Sequence, residues 1–197
     1  MTPLNEQQLQ KIRDERKEQI MEAALKVFAR RGLIGTKMSM IATEANISAG
    51  LLYRYFKSKN ELFISLVQQA VQESIAGIME VYKLPGSPIE KIKTLTDEIL
   101  QEDGQLYFML MHQARTSDEV PDEVNQLIDK NSMKTYIDIL EPLFKEGQEV
   151  GELAAGDPRE LISCYLSVLS GLMTLDMHRD ENYQMPSVSM LLRILRC

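Results

Sequence analysis

Few side chains in this chain are suited to bond-making chemistry. Among its 197 residues are two histidines, His112 and His178, and two cysteines, Cys164 and Cys197. Neither histidine has a cysteine or carboxylate at metal-ligand spacing on one helix face except Asp176 and Asp180, which match no known site. There is no glycine-rich phosphate loop and no nucleophile elbow. His112 sits in an apolar stretch and reads as a hydrogen-bonded core or pocket residue. The expectation is no enzyme, no catalytic residue, no metal and no cofactor. A different chemistry is concentrated near residue 50. Ser48, Tyr53, Arg54, Tyr55 and Lys59 are hydrogen-bond donors and cations close together, the types that hold phosphate oxygens rather than break bonds.

These residues lie on two short helices joined by a tight turn, between Met38 and Lys59. The first covers roughly Ser39 to Ala45, with Ile41, Ala42 and Ala45 inward. Asn46 tolerates the left-handed backbone that a sharp helix stop needs. Ser48 is a good N-cap for the second helix, Ala49 to Phe56. Leu52 and Phe56 share one face of that helix; Gly50, Leu51 and Arg54 occupy the other, flanked by the two tyrosines. A helix pair of this kind is the helix-turn-helix pattern, whose second helix can enter a DNA major groove. A structural hairpin in an ordinary bundle has the same spacing.

The wording of the stretch goes further. Ile41-Ala42, Ala45-Asn46-Ile47-Ser48 and Gly50-Leu51-Leu52-Tyr53-Arg54-Tyr55-Phe56-Lys57-Ser58-Lys59-Asn60-Glu61-Leu62 closely resemble the signature of TetR/AcrR-type bacterial transcriptional regulators. The resemblance is strong from about Arg16 to Phe63 and holds only in outline beyond. It implies an all-α fold: a three-helix DNA-binding domain over 1–62, then a long helix leading into an effector-binding and dimerisation domain over 63–197. It implies that Ser48, Ala49, Gly50, Leu51, Tyr53, Arg54 and Tyr55 face DNA, with Lys57 and Lys59 beyond them and Lys37 and Ser39 at the opening of the second helix. Lys37 departs from the small hydroxyl residue common there, though it can reach a phosphate as a point charge. Gly50 lets the backbone approach the groove, and Ala49 and Leu51 can touch only thymine methyls. Arg54 is open to a guanine edge, a phosphate or a nearby acid. With so few bidentate base readers, part of the specificity should come from DNA shape. The resemblance also implies a homodimer on a palindromic operator, most simply a repressor released by a small molecule.

Charge agrees once it is divided. The whole chain is acidic, at −7. Residues 1–62 hold eleven basic and seven acidic residues, a net of +4, and residues 63–197 hold eleven and twenty-two, a net of −11. Only the first third is built to approach a polyanion. Hydrophobic content of 44% with 26% charged residues excludes a disordered chain. Two cysteines form no disulfide framework, which suits a reducing cytoplasm. The polar start is no secretory signal, and no run approaches the roughly 18 apolar residues of a membrane span.

The flanking segments read as helices. Ile20, Ala24, Val27 and Phe28 make one stripe of a helix over Glu6–Arg31, stopped by Gly32. Lys11, Arg13, Arg16, Lys17, Arg30 and Arg31 on it could lie near phosphates or form a solvated face among Asp14, Glu15, Glu18 and Glu22, and most of them are read as the solvated face. Ser58 to Glu61 is a capping box opening a helix over 58–83, the one obvious mechanical link between the halves. Ser87-Pro88-Ile89-Glu90 opens another. Leu106 to Met111 is apolar all round and reads as a buried helix. Pro121 opens a helix expected to run to Pro142, which should kink or break it.

Two sites follow in the second half. Aromatic and Met side chains from separate helices suggest a mostly apolar effector pocket: Tyr107, Phe108, Met111, His112, Met133, Tyr136, Leu140, Tyr165, Leu169 and Met173, with Gln113 among the polar groups. A stripe of small residues, Ser163, Ser167, Ser170, Gly171 and Thr174, permits close helix approach. Following the resembled family, helices 157–179 and 186–197, the latter with Val188, Leu191, Leu192 and Leu195, are expected to pair with their symmetry mates. The competing function class is a partner-binding helical bundle without DNA binding, which leaves the charge division unexplained.

Overall fold

The structure, a computed structural model, describes residues 5–174 and 184–196. Asp176, His178, Asp180 and Cys197 lie outside them, as do the ends expected for the last two helices. The described chain is helical: α1 (Glu6–Arg31), α2 (Met38–Glu44), α3 (Ala49–Tyr55), α4 (Lys59–Val81), α5 (Pro88–Ile99), α6 (Glu102–Thr116), α7 (Asp122–Lys130), α8 (Met133–Glu149), α9 (Pro158–Thr174) and α10 (Val188–Leu191), which tightens into a 3₁₀ turn over Leu192–Leu195. It forms two compact units. The first comprises the chain up to Gln69 together with Leu110–Asn125; the second comprises Ala70–Met109 and the chain from Gln126 onward. The expected division at residue 62 is therefore displaced by part of α4, and a distant segment joins the first unit.

In the first unit, local chemistry sets the helix ends. Asn5 and Gln8 cap α1 reciprocally, at 2.8 and 3.0 Å. Gly32 ends it with φ +64°, its N–H bonded to the Phe28 carbonyl. Asn46 has φ +52°, the left-handed residue expected between α2 and α3. The Ile47 N–H then returns to the Ala42 carbonyl at 2.9 Å. Ile20, Ala24 and Phe28 of α1, Ile41 and Ala42 of α2, Leu52 of α3, and Leu62, Phe63 and Val67 of α4 form the buried apolar set. The Phe28 and Phe63 rings meet edge to face at 5.0 Å.

The second unit has its own core, built from Ile78, Val81, Ile89, Ile92, Leu95, Leu140, Leu143, Phe144, Ile162, Tyr165 and Leu169. Ser87 and Glu90 close the expected capping box, and Glu152 also accepts the Ile89 N–H at 3.0 Å. Arg159 at the start of α9 forks between Asp138, at 2.7 Å, and Glu141 of α8. Both carboxyls are held below their usual range, first by lysines one turn along their own helix, Lys134 and Lys145, and then by Arg159.

Four expectations are corrected. The pattern from Pro121 to Pro142 is two helices, not one. The Asn131 side chain takes the Leu127 carbonyl at 2.8 Å and Ser132 adopts an extended backbone, so α7 stops and α8 begins. Pro142 does not break α8; Leu140, Leu143 and Phe144 around it are at most 1% exposed, and core packing holds the helix through the missing N–H. The 106–111 stretch is half-buried apart from Leu110, so it is not apolar core on all sides. Finally, α4 does have the length and mean hydropathy, 1.2, of a membrane span. Its Leu62, Phe63, Leu66 and Val67 are buried in protein and Gln68, Gln72 and Glu73 lie elsewhere on it, so it is a core helix.

Candidate nucleic-acid interface

The α2–α3 pair presents one apolar and one polar surface. Leu52 and Phe56, four residues apart, are 0% and 3% exposed. That orientation turns Ser48, Ala49, Gly50, Tyr53 and Arg54 outward, all exposed, with Leu51 and Tyr55 half-buried at the margins. Lys37, Ser39 and Lys57 are exposed as well. The Ser48 hydroxyl accepts the Leu51 N–H at 3.2 Å, which leaves its own O–H free to donate. Tyr53 is 52% exposed, far more than a core phenol. A Cβ on Gly50 would meet nothing of the chain within 4 Å. The protein's own packing therefore does not require glycine there.

Two sets of contacts that periodicity does not reveal hold this surface in place. The Gln19 amide of α1 donates to the Ala45 carbonyl, 2.8 Å away, closing the end of α2. The Lys59 ammonium donates to the carbonyls of Leu33, at 2.8 Å, and Thr36, at 3.3 Å, so the first residue of α4 is tied to the turn between α1 and α2. Two of its three N–H bonds are thus spent inside the protein, leaving one for a phosphate. Elsewhere in this unit, the Gln113 side-chain oxygen occupies the space 2.8 Å from where a Gly32 Cβ would sit. Glycine at the end of α1 thus admits an amide from α6.

The residues proposed for an effector divide between the units. Met111 and His112 belong to the first, with His112 exposed. Tyr107, Phe108, Met133 and Tyr136 are half-buried members of the second. Leu140, Tyr165, Leu169 and Met173 are at most 1% exposed. The Tyr165 hydroxyl bonds Thr96 at 2.8 Å and the Tyr136 hydroxyl bonds Ser74 at 2.9 Å. Burial pushes Tyr165 up to about 12. The small residues of α9 are partly or fully exposed, as a contact face requires. Leu191, Leu192 and Leu195 are not: they are 7%, 4% and 0% exposed within the chain's own core, and the Leu195 carbonyl accepts the Ala154 N–H. They cannot also cover a partner, and of that last segment Met190 and Ile194 are the exposed apolar side chains. Among the described residues no group of three His, Cys, Asp or Glu could hold a metal.

An outward polar reading face on a short second helix, supported by a third helix, defines a helix-turn-helix DNA-binding regulator. Residues 20–66, which hold the end of α1, the α2–α3 pair and the start of α4, match the family described as bacterial regulatory proteins, tetR family. It is 27% identical over 176 residues to the fatty acid metabolism regulator protein of Bacillus subtilis (strain 168), covering 87% of this chain and 88% of that one. A transcriptional regulator FadR from Bacillus subtilis, solved in complex with stearoyl-CoA, superposes with a TM-score of 0.58 at 25% identity, over 90% of this chain and 94% of that one. A TetR-family regulator from Agrobacterium tumefaciens shares the fold, with a TM-score of 0.70 at 21% identity over 92% and 94% of the two chains. The matched stretch and the relative along most of the chain both make it a DNA-binding transcriptional regulator.

Proposed function

We propose that this protein represses genes of fatty acid metabolism and leaves its operator on binding a long-chain acyl-CoA, without catalysis and in the cytoplasm. The outward set on α3 carries the DNA half of this reading: Ser48, Tyr53 and Tyr55 hold phosphates, Gly50 admits the backbone to the groove, and Ala49, Leu51 and Arg54 meet base edges. Lys37, Ser39, Lys57 and the remaining N–H of Lys59 flank it on the backbone. The full-length likeness to a fatty acid metabolism regulator supports the effector. The aromatic and Met side chains of the second unit supply walls for an acyl chain, with Tyr107, Phe108, Met133 and Tyr136 least committed to the core. The outer stripe Ser163, Ser167, Ser170, Gly171 and Thr174 of α9 forms the self-complementary face of the dimer.

The ligand acts by preferring a conformation in which two reading helices no longer match major grooves about 34–36 Å apart. A 100-fold loss of affinity needs about 2.7 kcal/mol of preference, since each tenfold is about 1.4. Fluorescence anisotropy on duplexes selected from random sequence tests both halves. Tight binding to a palindrome, steeply salt-dependent and reversed by stearoyl-CoA but not by coenzyme A alone, is expected. Binding that ignores sequence would end the operator reading; tight binding indifferent to stearoyl-CoA would end the effector reading.

A further inference from the structure

The first fourteen residues of α1, Glu6 to Gln19, are not part of the core. None is buried, and burial begins at Ile20. At about 1.5 Å per residue they project roughly 20 Å beyond it. Two large apolar side chains lie on this projection, Leu9 at 53% and Ile12 at 47% exposed.

Its charges are sorted by face. With 3.6 residues per turn, Leu9, Arg13 and Lys17 form one line and Ile12 and Arg16 the adjacent one, which continues into Ile20 and Ala24. The cations and apolar groups therefore continue the side of α1 that is buried further along, with Glu6, at the tip of the helix, the one acid on that side. Asp14, Glu15 and Glu18 lie on the opposite side with Lys11, which pairs with Glu15 at 3.8 Å. Asp14 is also occupied, by the Gln10 amide at 2.9 Å. Arg16 bonds Gln19, whose amide is anchored on the Ala45 carbonyl at the entry to the α2–α3 turn. Arg13 and Lys17 make no ion pair among the described residues. The projection thus leaves the domain beside the turn that delivers the reading helix, with its unpaired cations on the inward side.

We propose that this projection is a second DNA-contacting element, in which Arg13 and Lys17 neutralise backbone phosphates flanking the sequence read by α3 while Leu9 and Ile12 lie against deoxyribose. The occupant is DNA because the net charge on the face is positive, with Arg13, Arg16 and Lys17 against Glu6 alone, and the other acids are turned away, the sorting a polyanion demands. The proposal rests on the operator-binding reading and extends it to bases the reading helix does not touch.

The test compares the full-length dimer with R13Q/K17Q, which keeps good helix formers, and with the outer-face control E18Q. Binding is followed against salt, with hydroxyl-radical footprints on a long duplex. Each phosphate that is no longer neutralised makes the slope of log K against log salt shallower by about 0.9, so the double variant should lose nearly 2 per subunit and its affinity should fall at least roughly tenfold at ~0.15 M salt. Protection at the outer edges of the footprint should disappear while the centre persists. E18Q should lose none of the slope. A wild-type slope and footprint in R13Q/K17Q, with helix content preserved, would overturn the proposal and leave operator binding standing. If the wild type bound no duplex, both would fall. A reduced mass by light scattering in L9S/I12S at unchanged slope would also overturn it, by giving the face to a second copy of the chain.

Discussion

The buried pair Thr96–Tyr165 makes an asymmetric prediction. Thr96 is 0% and Tyr165 1% exposed, and their oxygens are 2.8 Å apart. The Thr96 hydroxyl donates to the Ile92 carbonyl at 2.6 Å, so its single proton is spent and the Tyr165 hydroxyl must be the donor between the two. Thr96→Val strands that donor in the core at a cost of about 2 kcal/mol, within the ~1–3 of an unsatisfied buried group. Tyr165→Phe removes the donor but leaves Thr96 bonded to Ile92, for about 1 kcal/mol. The double variant strands nothing and should cost about 1 kcal/mol, which makes the coupling about 2 kcal/mol in the cycle. Urea denaturation at fixed protein concentration measures all four. Additive costs, or Thr96→Val no worse than Tyr165→Phe, would refute the assignment of donor and acceptor. The pair also has a pH signature. Burial raises Tyr165 from 10.0 to about 12, against a smaller lowering by Thr96. A raised folded pKa means its stabilisation is complete below about pH 10 and lost as pH climbs towards 12, at up to about 1.4 kcal/mol per unit. Tyr165→Phe should flatten that decline. Tyr82, raised by desolvation too, keeps its own share.

Three further outcomes follow from single sites. Gly50→Ala should raise stability by roughly 0.5–1 kcal/mol, because Ala suits a helix and its Cβ meets nothing in the chain; the same Cβ should weaken operator binding, and unchanged affinity would place Gly50 away from the groove. Gly147→Ala should instead destabilise on a melting curve despite that propensity, since its Cβ would sit 2.7 Å from Leu153 and 3.3 Å from Pro88. Lys59→Met should cost about 1–2 kcal/mol by denaturation, as the Leu33 and Thr36 carbonyls lose a charged donor. A salt slope shallower by no more than about one phosphate per subunit is expected to accompany it.

Legibility in the sequence followed the range of the interaction. α1, α2 and α3 fall within a residue or so of their expected limits because caps and stops act over three or four residues: Asn46, Ser48 and Gly32 each do what their backbone chemistry dictates. The outward face of α3 was legible because Leu52 and Phe56 leave one choice of inside. Long-range partners were not. Nothing in the spacing says that Lys59 reaches carbonyls 26 and 23 residues back, or that Gln113 packs on Gly32. Periodicity shows that Leu191, Leu192 and Leu195 share a face, and it is silent on whether a neighbour in the same chain or in another covers it. The split between α7 and α8 shows in the phase rather than the number of apolar residues: on one continuous helix Val124, Leu127 and Ile128 lie on one side and Ile137 and Leu140 on the other, so a single stripe cannot join them across Asn131 and Ser132.

The first unit takes Leu110–Asn125 from far along the chain, with Leu110 and Val124 0% and Ala114 1% exposed. The polypeptide therefore passes between the units three times, near residues 69, 109 and 125. Recombination between regulators by a single crossover after α3 or early in α4 would graft a reading head without the side chains that complete its interior. Such a chimera would inherit its operator and lose part of its hydrophobic packing, unless the recipient's own α6 happened to match. Exchange of operator specificity should thus proceed more readily by point changes on the outer face of α3 than by swapping the head whole.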